Sequence, residues 1–294
     1  KVISIKGAIH NIRDMSDFAF IILRTARDLI QCVYSPEFSE YRLTENVVEQ
    51  ASAKITGKVV KSQTRDGSER FELQNHNIEI LSVPAAVPPV VISKKQVNCD
   101  LNVNLDFRPV TLRNPNERAV FKIQEGIQRG FREHLTNNGF TEIHTPKINF
   151  AGAEGGTNVF KLDYFGKTVF LAQSPQLYKQ ALVPVYERVF EIGPVFRAEH
   201  HDTSRHLNEY ISMDFEMGFI DSFTDIMEME TGVLKYIMEL LKKEYAPEVE
   251  LLKVDIPEID KIPCIRFKDA KELCVKKLKN ITDMKDFEPE EEAV

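Results

Sequence analysis

The first eighty residues are built from short runs of β-branched, aromatic and other apolar side chains: Val2–Ile5, Phe18–Leu23, Leu29–Val33, Ala53–Val60 and Phe71–Ile80, separated by turn signals such as Asp66-Gly67. Runs of this length and composition predict strands. Five strands in roughly eighty residues fit a small Greek-key barrel of the OB type, a frequent oligonucleotide-binding scaffold. Gln50 and its neighbours supply the helix or loop between strands. Val83-Pro84-Ala85-Ala86-Val87-Pro88-Pro89 then breaks both periodicities and reads as a stiff linker. The expected organisation is a barrel over 1–83, a hinge over 84–105 and a second domain over 106–294.

The second domain opens on a helix. Asn114 is a natural N-cap, Pro115 suits the first helical position and Glu117 the first turn. Val120, Ile123, Ile127, Phe131 and Leu135 make one apolar stripe, and Asn138-Gly139 stops it. Gly139-Phe140-Thr141-Glu142-Ile143-His144-Thr145-Pro146 predicts a strand ended by proline. A later helix is capped by Ser222 with Asp225 three residues on, and its stripe is Ile226, Met229, Val233, Ile237 and Leu241. Between these helices, Val189–Arg197 is β-branched and aromatic, and Tyr210–Met217 alternates polar with apolar, so two paired strands are expected. Arg197 and Glu199 leave one strand on the same face, and Asp214 and Glu216 do so on the returning one.

Composition narrows the class. A chain of 294 residues with 43% hydrophobic content buries a sizeable core. No run approaches the roughly 20 apolar residues that span a bilayer, and Lys1-Val2-Ile3-Ser4-Ile5 leads into a strand, so a cytoplasmic protein with no membrane partner is expected. Cys32, Cys99, Cys264 and Cys274 lack zinc spacing and read as reduced thiols packed as small hydrophobes. The net charge of −7 argues against a nucleic-acid binder on composition alone. The charge is uneven, however, because 283–292 is strongly acidic while the barrel region is balanced. Recognition of single-stranded RNA loops needs aromatics and local cations more than a basic total.

The polar hairpin carries the chemistry. Arg197, Glu199, Arg205, His206 and Tyr210 set cations beside a flat aromatic, a grouping suited to a nucleoside triphosphate. A cross-strand ladder of ion pairs on a solvated face is the plainer alternative. The string FRAEHHDTSRHLNEYISMDFEM resembles motif 2 of the class II aminoacyl-tRNA synthetases, in the aspartate-specific form of archaeal and eukaryotic type. The 139–146 segment resembles motif 1. The run Leu171-Ala172-Gln173-Ser174-Pro175-Gln176-Leu177-Tyr178-Lys179-Gln180 points within that family to aspartate, and Glu154-Gly155-Gly156-Thr157 resembles the loop that closes over the amino acid. Ala153 stands where the family often has serine, so that side-chain hydrogen bond is missing.

The resemblance implies an α+β protein: a five-stranded OB-type barrel followed by a catalytic domain with an antiparallel sheet flanked by helices. It implies ATP as substrate, with Arg197 on the α-phosphate as the catalytic residue, Glu199 and Tyr210 near adenine, and Arg205 and His206 near the outer phosphates. L-aspartate falls to Glu154, Gln176, Lys179 and Asp214. Phe20, Gln31 and Glu72 fall on the anticodon of tRNA(Asp), and Pro146 on a homodimer interface. Read without the resemblance, Lys179 could be a surface lysine, Phe20 a barrel-core residue, and Gln31 and Glu72 solvated. Nothing in 249–294 supplies the G-x-G-x-x-R of motif 3, so the chain reads as truncated before it, and Mg²⁺ is expected to find its ligands mostly beyond the chain. Aspartate–tRNA ligase activity leads. A non-catalytic tRNA-binding or scaffold relative and a tRNA-independent asparagine synthetase remain the alternatives.

Overall fold

Five strands close into a barrel in the computed structural model: β1 (Val2–Asp14), β2 (Ala19–Arg24), β3 (Leu29–Tyr34), β4 (Ser52–Gln63) and β5 (Glu69–Ser82), in the order β1-β2-β3-β5-β4. The residues described are all except 16, 38–44, 64–66, 68, 151–158, 199–206, 279–285, 288 and 293–294. The period of two explains the closure. On β2, Ala19, Ile21 and Leu23 are buried while Phe20, Ile22 and Arg24 lie on the outside. Ile9, Cys32, Ile55, Leu73 and Ile78 complete the filling from the other strands. Burial pushes the Cys32 thiol up to about 12, so it behaves as a small apolar residue. Cys264, by contrast, is exposed, and the expectation that all four thiols pack inside is corrected there. A glycine is required at 57, where a Cβ would lie 2.1 Å from the Gln74 carbonyl oxygen on β5.

The chain divides into two compact units, Lys1–Phe121 and Lys122–Val294. In the first, the segment after the barrel is anchored: Val90 and Ile92 are buried, and the Asn114 side chain donates to the carbonyls of Ile92 (2.9 Å) and Lys94 (2.7 Å). Its Oδ1 also accepts from the Asn116 amide at 2.9 Å, the expected N-cap contact. Two short helices, α1 (Leu101–Asp106) and α2 (Arg108–Thr111), precede α3 (Pro115–Asn137).

The second unit holds the rest of α3, then β6 (Thr141–Glu142), β7 (Ile148–Asn149), β8 (Lys161–Tyr164), β9 (Lys167–Leu171), α4 (Gln176–Tyr186), β10 (Arg188–Phe196), β11 (Glu209–Met217), α5 (Phe223–Glu244), α6 (Ala246–Leu252), α7 (Phe267–Leu278) and α8 (Pro289–Glu292). β11, β10 and β6 form one sheet, with β10 antiparallel to β11 and parallel to β6; β7, β9 and β8 form another. The central sheet is therefore mixed. The strand expected to run to Pro146 stops at Glu142, because the following backbone is held by a side chain, described below.

α3 and α5 cover the sheet. Phe131 and Leu135 of α3 pack with Phe190 and with Val233, Ile237, Leu240 and Leu241 of α5. Gly126 and Gly130 let the helices approach, since a Cβ at Gly126 would lie 2.6 Å from a Leu241 methyl. The stripe begins one residue earlier than the sequence suggests: Ala119 is buried and Val120 is exposed. The capping box of Ser222 and Asp225 is formed as expected.

Within the first unit, His10 is 3% exposed and its Nδ1 lies 3.1 Å from Arg24 Nη1. Arginine can only donate, so this nitrogen must be the unprotonated one. Burial first, then the Arg24 and Arg118 charges, lowers the His10 pKa to about 4. A histidine depressed in the folded state is protonated first in the unfolded chain. Stability is thus fully present above the unfolded pKa of 6.5 and is lost as pH falls toward 4. The expected loss is about 3 kcal/mol at one unit of pKa per 1.36 kcal/mol. Amide exchange in β1 and β2 between pH 7 and pH 4 should show it, and His10→Asn should flatten the dependence.

Candidate functional site

The antiparallel register of β10 and β11 sets Glu191 opposite Asp214, Gly193 opposite Ser212 and Val195 opposite Tyr210. Directly paired residues share a face, so Glu191, Tyr210, Ser212, Asp214 and Glu216 all point to one side of the sheet. α4 begins at Gln176, directly after the buried Gln173-Ser174-Pro175, and packs on both strands. Its fourth residue, Lys179, is 5% exposed. The ammonium lies 3.2 Å from Asp214 Oδ1, 3.6 Å from Glu216 Oε2 and 3.5 Å from the Phe215 carbonyl oxygen. A surface role for Lys179 is overturned. Ser212 Oγ hydrogen-bonds the other oxygen of Asp214, which fixes that carboxylate from both sides.

Gln176 stands three residues before Lys179 on the same helix, hence beside it on the helix surface, and is half-buried. Arg197 follows β10 directly; its amide donates to the Asn208 carbonyl at 3.0 Å, which carries the strand pairing one step beyond the sheet, and its side chain is half-buried. Tyr210 is half-buried across from Val195. Glu154, Glu199, Arg205 and His206 lie outside the described residues.

Glu191 was not singled out from the sequence, although a carboxylate inside the β-branched run Val189-Phe190-Glu191-Ile192 is the signal that marks it. It is 3% exposed and fully engaged, accepting from the Thr145 amide (2.6 Å), Thr145 Oγ1 (2.8 Å) and Lys147 Nζ (2.8 Å). These contacts clamp the backbone on both sides of Pro146. Gly193 leaves the room, since a Cβ there would meet Lys147 Nζ at 3.3 Å.

On the barrel, Phe20, Gln31 and Glu72 belong to one outer face of adjacent strands. Phe20 pairs with Val33 and Ile22 with Gln31 across β2 and β3, and β3 lies beside β5. Phe20 is half-buried on the outward parity of β2 and stacks edge-on with Phe18 at 5.2 Å, so it is not a core residue. Gln31 and Glu72 are not separately solvated. Gln31 Nε2 donates to Glu72 Oε1 at 3.0 Å, and Arg70 pairs with the same carboxylate at 2.7 Å. Glu72 is buried, and Arg70 and Phe18 are the neighbours that sequence reasoning missed.

Among the described residues no group of three or more His, Cys, Asp or Glu side chains is placed to hold a metal ion, and no helix is long and apolar enough to cross a membrane. Residues 100–291 match the family model of the class II tRNA synthetases (D, K and N), and residues 3–81 match that of the OB-fold nucleic acid binding domain. The chain belongs to the class II tRNA synthetases of this D, K and N group. Within it, the chain is 43% identical over 293 residues to the aspartate–tRNA(Asp/Asn) ligase of Deinococcus radiodurans, covering 99% of this chain and 65% of that protein. It is 38% identical to the enzyme of the same name from Thermus thermophilus, covering 94% and 64%. The chain thus spans about two thirds of the length of these relatives. In fold it is similar to asparaginyl-tRNA synthetase from Pyrococcus horikoshii, with a TM-score of 0.86 at 24% identity over 99% of this chain and 68% of that one.

Lys179 is the only cation described against Asp214 and Glu216. Lys179→Met should therefore destabilise the second unit by ~2 kcal/mol, the lower range for a broken buried pair because the two carboxylates keep some solvent. Asp214→Asn in the same chain should restore part of that loss. A double-mutant cycle by urea unfolding checks the coupling, which should come out non-additive.

Proposed function

We propose that the protein is an aspartate–tRNA ligase and that these residues form its amino-acid and ATP site. In the first step a carboxylate oxygen of aspartate attacks the α-phosphorus of ATP and pyrophosphate leaves. In the second, a hydroxyl of the terminal ribose of tRNA(Asp) attacks the acyl carbon and AMP leaves. Neither step needs a protein nucleophile. Both need the reacting atoms held in line and the developing phosphate charge met by fixed donors. In this reading Arg197, which follows β10 directly, meets that charge and Tyr210 serves the base, and Glu199, Arg205 and His206, outside the described residues, are assigned to the rest of the ATP site. Mg²⁺ use is general to ATP-dependent synthetases, but Asp214 and Glu216 are engaged by Lys179, and among the described residues no group is placed to hold a metal ion.

The observation that carries the reading is Lys179. Its ammonium sits under the strand pair with one firm partner, Asp214, while the 3.6 Å separation from Glu216 is longer than a hydrogen bond. That donor can turn to an arriving β-carboxylate. Asparagine would offer a neutral amide to a desolvated ammonium, and the difference favours aspartate. Gln176 and Asp214 order the rest of the substrate, and Glu154 receives its ammonium group. A further part of the reading is that the segment around Pro146, held by Glu191, forms a homodimer interface and that the protein works in the cytoplasm.

Pyrophosphate exchange by the whole protein with aspartate, asparagine and lysine tests the assignment, and exchange driven by asparagine or lysine instead of aspartate would overturn it. In the same assay Lys179→Ala should lower kcat/KM for aspartate by roughly two to three powers of ten, the scale of ~2–5 kcal/mol for one partner of a desolvated pair. The preference for aspartate over asparagine should shrink with it, while KM for ATP changes little. Retention of the parent preference would remove Lys179 from the specificity pocket.

Phe20 tests the barrel. If it stacks an anticodon base, Phe20→Ala should weaken binding of tRNA(Asp) by roughly 1–3 kcal/mol, the usual value of one base–aromatic stack. The same assay with tRNA(Asn) establishes whether the acceptor range matches the names of the bacterial relatives. Loss of pyrophosphate exchange together with tRNA binding would mark a collapsed barrel instead.

A further inference from the structure

One corner of the first unit gathers positive charge without a counter-charge. Arg24 ends β2, Arg113 follows α2, and Arg118 lies in the first turn of α3. Gln50 Oε1 accepts from both Arg24 Nη2 (3.1 Å) and Arg113 Nη1 (3.3 Å), so two guanidinium groups meet on one amide oxygen. Arg118 Nη1 donates to the carbonyl of Thr25, the residue next to Arg24, at 3.2 Å. His10, neutral, closes the group from β1. Among the described residues none of these three arginines makes an ion pair, in a protein whose formal charge is −7.

Three unfavourable features coincide there. Burial first, then the like charges of Arg113 and Arg118, lower the Arg24 pKa to about 10. Gln50 is a non-glycine residue at φ 69, pinned by its amide to the Ile9 carbonyl at 2.6 Å. Its Nε2 is buried with no hydrogen-bond partner, although the residue is only 8% exposed. Strain, repulsion and an unsatisfied donor kept together mark a place shaped for something other than stability. The three arginines are half-buried rather than enclosed.

We propose that Arg24, Arg113 and Arg118 form a seat for a backbone phosphate of RNA, with the Gln50 amide oxygen holding two of the guanidinium groups together and His10 behind them. Planar guanidinium forks match phosphate oxygens, and a phosphate would relieve the mutual repulsion. The choice of RNA over a free anion rests on the ligase reading above. Such a contact positions the RNA and carries no base information, which separates it from the face of Phe20, Gln31 and Glu72.

The test uses the whole protein, a tRNA(Asp) transcript and a transcript of unrelated sequence, with binding measured over a range of salt. Arg113→Gln and Arg118→Gln should each weaken both RNAs by the same several-fold factor, and each should make the slope of log affinity against log salt shallower by about one. Arg113→Lys should restore the slope and only part of the affinity. Thermal midpoints of the glutamine variants should be equal to or above the parent, because a repelling charge has gone. Unchanged affinity and slope would overturn the proposal, as would a loss confined to tRNA(Asp) or a fall of several degrees in midpoint that marks a structural role. Stabilisation by inorganic phosphate with no change in RNA binding would overturn the choice of RNA. Failure of the ligase reading would show separately, as absent aspartate-dependent pyrophosphate exchange with these RNA effects intact.

Discussion

The pairing of β10 with β11 decides where the charged groups around that strand pair stand. Because Glu191 lies opposite Asp214, a carboxylate from each strand rises on the same face, and neither can stay there uncompensated. Each is met from outside the hairpin. Lys147 and the Thr145 amide come from the segment around Pro146 to Glu191, and Lys179 comes from α4 to Asp214. A slip of β11 by one residue would turn Asp214 and Glu216 to the opposite side, where Phe190, Ile192 and Phe215 pack against α3 and α5. The hydrophobic face thus fixes the register, and the register in turn fixes the polar constellation.

Much of this was legible in the chain. The five barrel strands, the cap of α3, the capping box of α5 and the paired strands all rest on local patterns, and local patterns survive folding when packing agrees with them. The shared face of Asp214 and Glu216 followed from the period of two alone. What was not legible depended on partners distant in sequence. Glu191 and Lys147 are 44 positions apart and look like ordinary charges until β6, β10 and the intervening loop are assembled. The burial of Lys179 was equally hidden, because an amphipathic helix permits a lysine on either face and only the docking of α4 on β10 and β11 chooses. The shift from Val120 to Ala119 at the start of the α3 stripe is smaller, and it reflects the drift of a 3.6-residue period at a helix end.

The strand pair of the second unit and the arginine corner of the first handle charge in opposite ways. In the second, each buried carboxylate or ammonium near the strand pair has a partner within hydrogen-bonding reach, which suits groups that must hold fixed geometry while a substrate reacts. In the first, Arg24 leans on a neutral histidine and shares an amide oxygen with a second arginine. Neutral acceptors satisfy the hydrogen bonds of a guanidinium but leave its charge in place. Compensation completes a site in the protein alone, whereas uncompensated charge leaves part of the interaction for a ligand to supply.

Lys179 combines both modes, which bears on how, in the ligase reading, its ammonium would tell acids from amides. Asp214 is near enough to neutralise it, and Ser212 holds Asp214 so that this pairing cannot swing away. Glu216, at 3.6 Å, supplies charge without a formed hydrogen bond. One donor of the ammonium is therefore oriented weakly, and it can be claimed by an entering carboxylate at the loss of a long contact only. Had both acidic residues been bonded firmly, a substrate would have had to break a buried pair to enter, and the energy of recognition would be spent on that. Had neither been present, a buried ammonium would stand without a counter-charge. One firm and one loose partner compensate the ammonium before binding and leave it available during it.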